Sequence, residues 1–97
     1  MDFGLAYEDI EAIVSTLKAE PKVEKVSIFG SRALGTFHSG SDIDIAVYGS
    51  KLTHDDLLNL KIALDELELL YKIDLIHFEA LTNPEFLGHI KRVEIKL

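Results

Sequence analysis

Val26-Ser27-Ile28-Phe29-Gly30-Ser31 runs as an apolar strand into a small-residue turn, and Ser41-Asp42-Ile43-Asp44-Ile45-Ala46-Val47 opens a second strand with two carboxylates. Residues 32–41 separate the two, so the pattern is Gly-Ser, ten residues, Asp-x-Asp. Side chains at i and i+2 of a strand share a face. Asp42 and Asp44 therefore project together, and Ile43, Ile45 and Val47 form the opposite, apolar face. Neighbouring carboxylates repel unless a cation sits between them. Mg²⁺ prefers oxygen ligands and often binds through one or two carboxylates plus substrate phosphates. Gly30 lets the backbone approach a phosphate closely, and a helix starting at Gly30-Ser31 would turn free N–H groups toward it. A phosphate cradle beside a metal-holding acid pair suits nucleoside triphosphate chemistry. Taken separately, a Gly-Ser turn and an Asp-x-Asp pair are ordinary structural features. Joined as here, an acid pair opening an otherwise apolar strand is costly without a role.

Phe29-Gly30-Ser31, ten residues, then Asp42-Ile43-Asp44-Ile45 resembles the signature of the polymerase-beta-like nucleotidyltransferases. Gly30-Ser31-Arg32-Ala33-Leu34-Gly35 followed by Ser41-Asp42-Ile43-Asp44 is most similar to the minimal nucleotidyltransferases, small stand-alone proteins of about this length. The motif is specific for the superfamily and much less so for the substrate.

Composition sets the outer limits. A chain of 97 residues, 47% of them hydrophobic and 28% charged, fits one domain, 1–97, with one modest core. There is no cysteine, so no disulfide or thiolate metal site is available. The acidic start and the absence of a long apolar run predict no membrane span and a cytoplasmic location. The formal net charge of −7 repels a phosphate backbone, which disfavours a directly bound nucleic acid and suits a basic protein partner.

Outward from the motif, Ile10, Ile13, Val14 and Leu17 recur at helical spacing and predict a packing helix over 6–19, stopped by Pro21. The first strand is read over 23–29, a short helix over Arg32 to Leu34, and the second strand over 43–48. Arg32 is a candidate phosphate contact, because a guanidinium pairs well with phosphate oxygens; a surface residue screening the acid pair is the alternative. His38, in the polar loop, reads as solvated. Thr53 with Asp56 forms a capping pair for a helix carrying Leu57, Leu60, Leu64 and Leu67 to about Leu70. A third strand is read over 72–78, with His77 structural. Asp74 interrupts this strand and lies either at its end or facing a cation, since a buried unpaired carboxylate is expensive; a satisfied edge aspartate is the alternative. Thr82-Asn83-Pro84-Glu85 starts a helix to about Arg92, with Thr82 read as the cap. Residues 93–97 alternate and read as a short strand or a docking tail.

These elements predict a small α/β nucleotidyltransferase fold: a three-stranded mixed sheet, helices mainly on one face, and the Asp42/Asp44/Asp74 face open. The short first connection makes strands one and two antiparallel, and the helical crossover permits a parallel pair of strands two and three.

The resemblance implies transfer of a nucleoside monophosphate, most readily AMP from ATP, to a hydroxyl. It implies Mg²⁺ or Mn²⁺ held by Asp42, Asp44 and Asp74, with Asp74 as the third carboxylate and a possible base. Gly30, Ser31 and Arg32 become the nucleotide-binding residues. The larger members carry an acceptor domain for which this chain has no room. The resemblance therefore implies a partner, a HEPN-domain ribonuclease toxin from a neighbouring gene modified on a tyrosine, within a homodimer or hetero-oligomer. Two other readings stay open. One is a catalytically weak antitoxin that masks a basic partner by contact. The other is a small-molecule nucleotidyltransferase.

Overall fold

In the computed structural model, which describes residues 3–97, the first apolar stripe becomes helix α1, Tyr7–Lys18. Glu8 and Asp9 sit in its first turn and Lys18 in its last, each matching the helix dipole. Strand β1, Lys25–Phe29, runs straight into the short helix α2, Gly30–Leu34. Strand β2, Ile43–Tyr48, returns antiparallel to β1, with Val26 opposite Val47 and Phe29 opposite Asp44. Helix α3, His54–Asp65, carries the chain over to strand β3, Ile73–His77, which lies parallel to β2. Both strand pairings match the expectation from connection length. A 3₁₀ turn, Phe78–Ala80, leads to helix α4, Pro84–Val93. No helix among the described residues is long and apolar enough to cross a membrane.

The sheet has four strands rather than three. Ile95–Lys96 forms β4, antiparallel to β1, giving the order β3-β2-β1-β4. The alternating tail thus pairs with the free edge of β1, which the sequence left without a neighbour.

Helices also cover both faces instead of mainly one. Val26, Ile28, Ile43, Ile45, Val47 and Leu75 pack against Ile13 and Leu17 of α1 and Leu57, Leu60 and Leu64 of α3. On the other face, Phe29, Ala46 and Tyr48 pack with Phe86, Ile90 and Val93 of α4. The strong apolar periodicity of α4 (Phe86, Ile90, Val93) needs a partner, and the Phe29/Ala46/Tyr48 side of the sheet is the apolar surface left for it. This is the face that carries Asp44 and Asp74, so it is only partly open.

Two helix limits differ from the sequence reading. The Thr53–Asp56 capping box forms as expected, but α3 stops at Asp65 instead of continuing to Leu70. Glu66 and Glu68 are unfavourable at the negative end of a helix dipole, and Glu68 turns out of the helix with φ of 53°. At the start of α4 the cap is Asn83, not Thr82. The Asn83 carboxamide oxygen accepts from the backbone N–H groups of Glu85 and Phe86, with Pro84 in the first turn.

Candidate functional site

Asp44 lies opposite Asp74 across the parallel β2–β3 pair, and opposite Phe29, the residue before Gly30, across the β1–β2 pair. Residues in register on neighbouring strands project to the same face. Asp42 lies two residues before Asp44, just ahead of the strand. Asp44 and Asp74 therefore share one end of the sheet face, with Asp42 two residues ahead of Asp44 in the chain. Burial raises the Asp44 carboxyl above the usual carboxylate range, the charges of Asp74 and Asp42 raise it further, and His89 on α4 opposes them. None of the three accepts a hydrogen bond from, or pairs with, a Lys or Arg among the described residues. Asp74 is exposed, while Asp42 and Asp44 are half-buried.

Gly30 joins the turn to this cluster. Its φ of 73° lies in the left-handed region, and a Cβ built there would collide with the Asp44 carboxylate. Glycine is thus required twice, for the turn and for the close approach. Ser31 follows, half-buried, and its carbonyl accepts from the N–H groups of Gly35 and Thr36 to close α2. Gly35 ends the helix with φ of 83°. The side chain of Ser31 makes no hydrogen bond to another described residue. The structure thus brings Gly30, Ser31, Asp42, Asp44 and Asp74 to one place.

Arg32 is placed differently from the phosphate contact expected of it. Its side chain is buried at 1% exposure, and its guanidinium donates to backbone carbonyls of Phe3, Ser39 and Ser41. A contact with phosphate would require it to leave these acceptors. His38 is exposed; its N–H donates to the Ser41 hydroxyl, closing the loop. His77 bonds the Gly49 carbonyl through Nε2 at 2.8 Å, the structural part read for it.

Sequence reading missed His89. It lies on α4, beside Phe86, whose ring meets Phe29 edge-on at 5.9 Å between centroids. No local pattern marks a histidine whose relevance depends on which sheet face its helix covers.

As a metal site the cluster is incomplete by itself. Among the described residues no three His, Asp or Glu side chains converge as a ready cage. The donors are nonetheless all carboxylate oxygens under mutual repulsion, the chemistry a hard divalent cation relieves. Because Mg²⁺ commonly takes its remaining ligands from substrate phosphates and water, a partial set beside a glycine turn fits such an ion.

Comparison with known proteins gives the same direction. Residues 11–97 match the profile of the family described as Polymerase beta, Nucleotidyltransferase. No curated protein gives a significant match. Among solved structures, one described as a candidate minimal nucleotidyltransferase superposes with a TM-score of 0.75 at 32% identity, covering 100% of this chain and 97% of that one. A chain of a mutant toxin–antitoxin pair, MntA-HpeT, superposes with a TM-score of 0.74 at 26% identity, covering 96% and 72%. A chain of a toxin–antitoxin crystal structure with AMP-PNP gives 0.72 at 26% identity, covering 89% and 69%.

Proposed function

The chain belongs to the polymerase-beta nucleotidyltransferase family, and from that premise we propose that it transfers AMP from ATP to a hydroxyl of a partner protein. The observation that carries the reading is the meeting of the Gly30 turn with Asp44, which is itself in register with Asp74. The backbone at Gly30 and Ser31 holds the outer phosphates of ATP. Asp42 and Asp44 would hold Mg²⁺ or Mn²⁺ on the triphosphate side. When bound, the metal supplies charge neutralisation on the phosphates and a lower acceptor pKa. The acceptor hydroxyl oxygen forms a bond to the α-phosphorus, the bond from that phosphorus to the bridging oxygen breaks, and pyrophosphate leaves. Asp74, the most exposed of the three acids, takes the hydroxyl proton on the acceptor side. Positioning and charge neutralisation supply most of the catalysis in such a transfer.

AMP-PNP in a relative at 26% identity supports an adenine nucleotide as donor. The toxin–antitoxin setting of two relatives supports a toxin as acceptor. By the family resemblance, that toxin is a HEPN-domain ribonuclease from a neighbouring gene, modified in the cytoplasm on a tyrosine. The net charge of −7 suits a basic partner.

Thermal melting tests the site. ATP with Mg²⁺ at 100 times its dissociation constant stabilises the folded state by about 2.7 kcal/mol. Asp42→Asn with Asp44→Asn removes the metal-dependent part of that gain. Equal stabilisation of wild type and double variant would refute the assignment of these acids to metal and nucleotide.

A further inference from the structure

We infer that Arg32 is a positioning residue that sets the carboxylate site by clamping the two segments that deliver Asp42 and Asp74. This inference rests on the nucleotidyl-transfer reading above.

The guanidinium sits where three stretches of chain meet. Its Nη1 donates to the Phe3 carbonyl at 2.8 Å. Its Nη2 and Nε both donate to the Ser41 carbonyl, at 2.9 and 3.2 Å, and Nη2 also reaches the Ser39 carbonyl at 3.4 Å. Ser41 is the residue immediately before Asp42. The forked grip on its carbonyl therefore fixes the peptide that leads into the first carboxylate.

The same guanidinium lies 4.8 Å from the Tyr71 ring centre and 5.0 Å from the Phe37 ring centre. Tyr71 stands three residues before Asp74, at the entry to β3. Arg32 itself belongs to α2, two residues after the Gly30 turn. One side chain thus touches the phosphate-facing helix, the Asp42 loop and the approach to Asp74.

The chemistry of the contact explains why arginine stands here. A buried cation is expensive unless its donors are met. Among the described residues it has no carboxylate partner, and its charge is held by carbonyl oxygens and aromatic faces. A lysine can supply the charge but not the rigid fork, and its single nitrogen cannot reproduce the spread of acceptors. Simple packing of α2 against the sheet needs no such group: Ala33 next to it serves that purpose with a methyl. What only a guanidinium supplies here is a fixed distance between the Ser41 peptide and the two other segments. Groups that orient metal-facing carboxylates from behind commonly change metal affinity by about 10–100-fold when replaced.

The test compares wild type with Arg32→Lys. Mn²⁺ binding in the presence of AMP-PNP is measured by electron paramagnetic resonance, and backbone amide exchange is followed over residues 36–42 against α1 and β1. The expected result is a folded variant whose Mn²⁺ dissociation constant rises about tenfold. Exchange quickens in 36–42 and is unchanged in α1 and β1. A folded variant with wild-type Mn²⁺ affinity overturns the inference, whatever happens to its melting temperature. If Arg32→Lys does not fold, Tyr71→Leu removes one ring face and leaves every hydrogen bond of Arg32 in place. A weaker loss of Mn²⁺ affinity, about threefold by loss of one cation–π contact, then supports the clamp, and no loss overturns it. If wild type itself binds no Mn²⁺ with AMP-PNP, the reading of the site fails, a result separate from failure of the clamp alone.

Discussion

One face of the sheet carries two acidic centres, and they are treated in opposite ways. At one end stands Glu94, between α4 and β4. Its Oε1 accepts from the Ser27 hydroxyl at 2.6 Å and the Tyr48 hydroxyl at 2.7 Å, with Lys25 at 3.5 Å; Lys91 lies 3.7 Å from Oε2. Burial pushes this carboxyl up, but the Ser27 and Tyr48 hydrogen bonds and the two lysines outweigh it and hold the group below its ordinary value. At the other end stand Asp42, Asp44 and Asp74, which have no such lysine or hydroxyl partner among the described residues; there burial, with the charges of Asp74 and Asp42 added, raises the Asp44 carboxyl. A single strand, β2, carries a member of each centre: Asp44 near its start and Tyr48 at its end. The same chain therefore satisfies a half-buried carboxylate with hydroxyl and lysine partners at one end. It leaves Asp42, Asp44 and Asp74 at least partly open to solvent and without a protein partner among the described residues, at the end where the proposed reading puts the ligand. The contrast supports the proposed roles better than either cluster alone.

Replacing Glu94 gives the largest effect on folding. Glu94→Leu leaves the Ser27 and Tyr48 hydroxyls without their acceptor and two lysines without their partner. The loss is about 2–3 kcal/mol of stability at neutral pH, read by urea denaturation. The pH dependence has a definite sign. A carboxyl held low in the folded state contributes stability above its unfolded value, near 4.3, and loses it as pH falls through the folded value. Wild type should therefore converge on the variant at acid pH. A variant as stable as wild type at pH 7 would break the comparison at its satisfied end.

Replacing Asp44 gives a smaller effect of opposite sign. Its carboxyl is held high, so its contribution to stability is present at low pH and is lost as pH rises through the folded value. Asp44→Asn removes that repulsion. In metal-free buffer at pH 7 its melting temperature should exceed wild type by about 2–4 °C, and the difference should shrink on acidification. A lower melting temperature at pH 7 would mean that Asp44 has a structural partner.

How far these features could be read beforehand follows from the distance over which each is determined. Gly30, Ser31, Asp42 and Asp44 lie within one strand-loop-strand unit, so spacing and the two-residue repeat of a strand place them together. Asp74 needs the parallel pairing of β2 with β3, which the helical crossover permits, and its place as the third carboxylate is implied by the family resemblance and not by spacing. The fourth strand, the second helix-covered face and His89 all depend on where α4 docks after it has left the sheet. Ser27 and Glu94 are 67 positions apart in sequence, and no local pattern joins them. Arg32 is legible as a residue near the site, but its donors are taken by the carbonyls of Phe3, Ser39 and Ser41. Only the folded loop supplies those acceptors.

The central claim is that the unsatisfied acids perform a transfer, and the mass of the acceptor reads it directly. The proposed partner, a HEPN-domain protein, is incubated with this protein, ATP and Mg²⁺, and its intact mass is recorded. The account predicts an added mass of one or more AMP groups and release of pyrophosphate. With Asp42→Asn plus Asp44→Asn, the rate should fall by at least about 10³-fold, the scale of lost electrostatic stabilisation of a transition state. An unchanged mass, with the toxin inhibited equally by wild-type and doubly substituted protein at stoichiometric ratio, would contradict the account and establish neutralisation by contact instead.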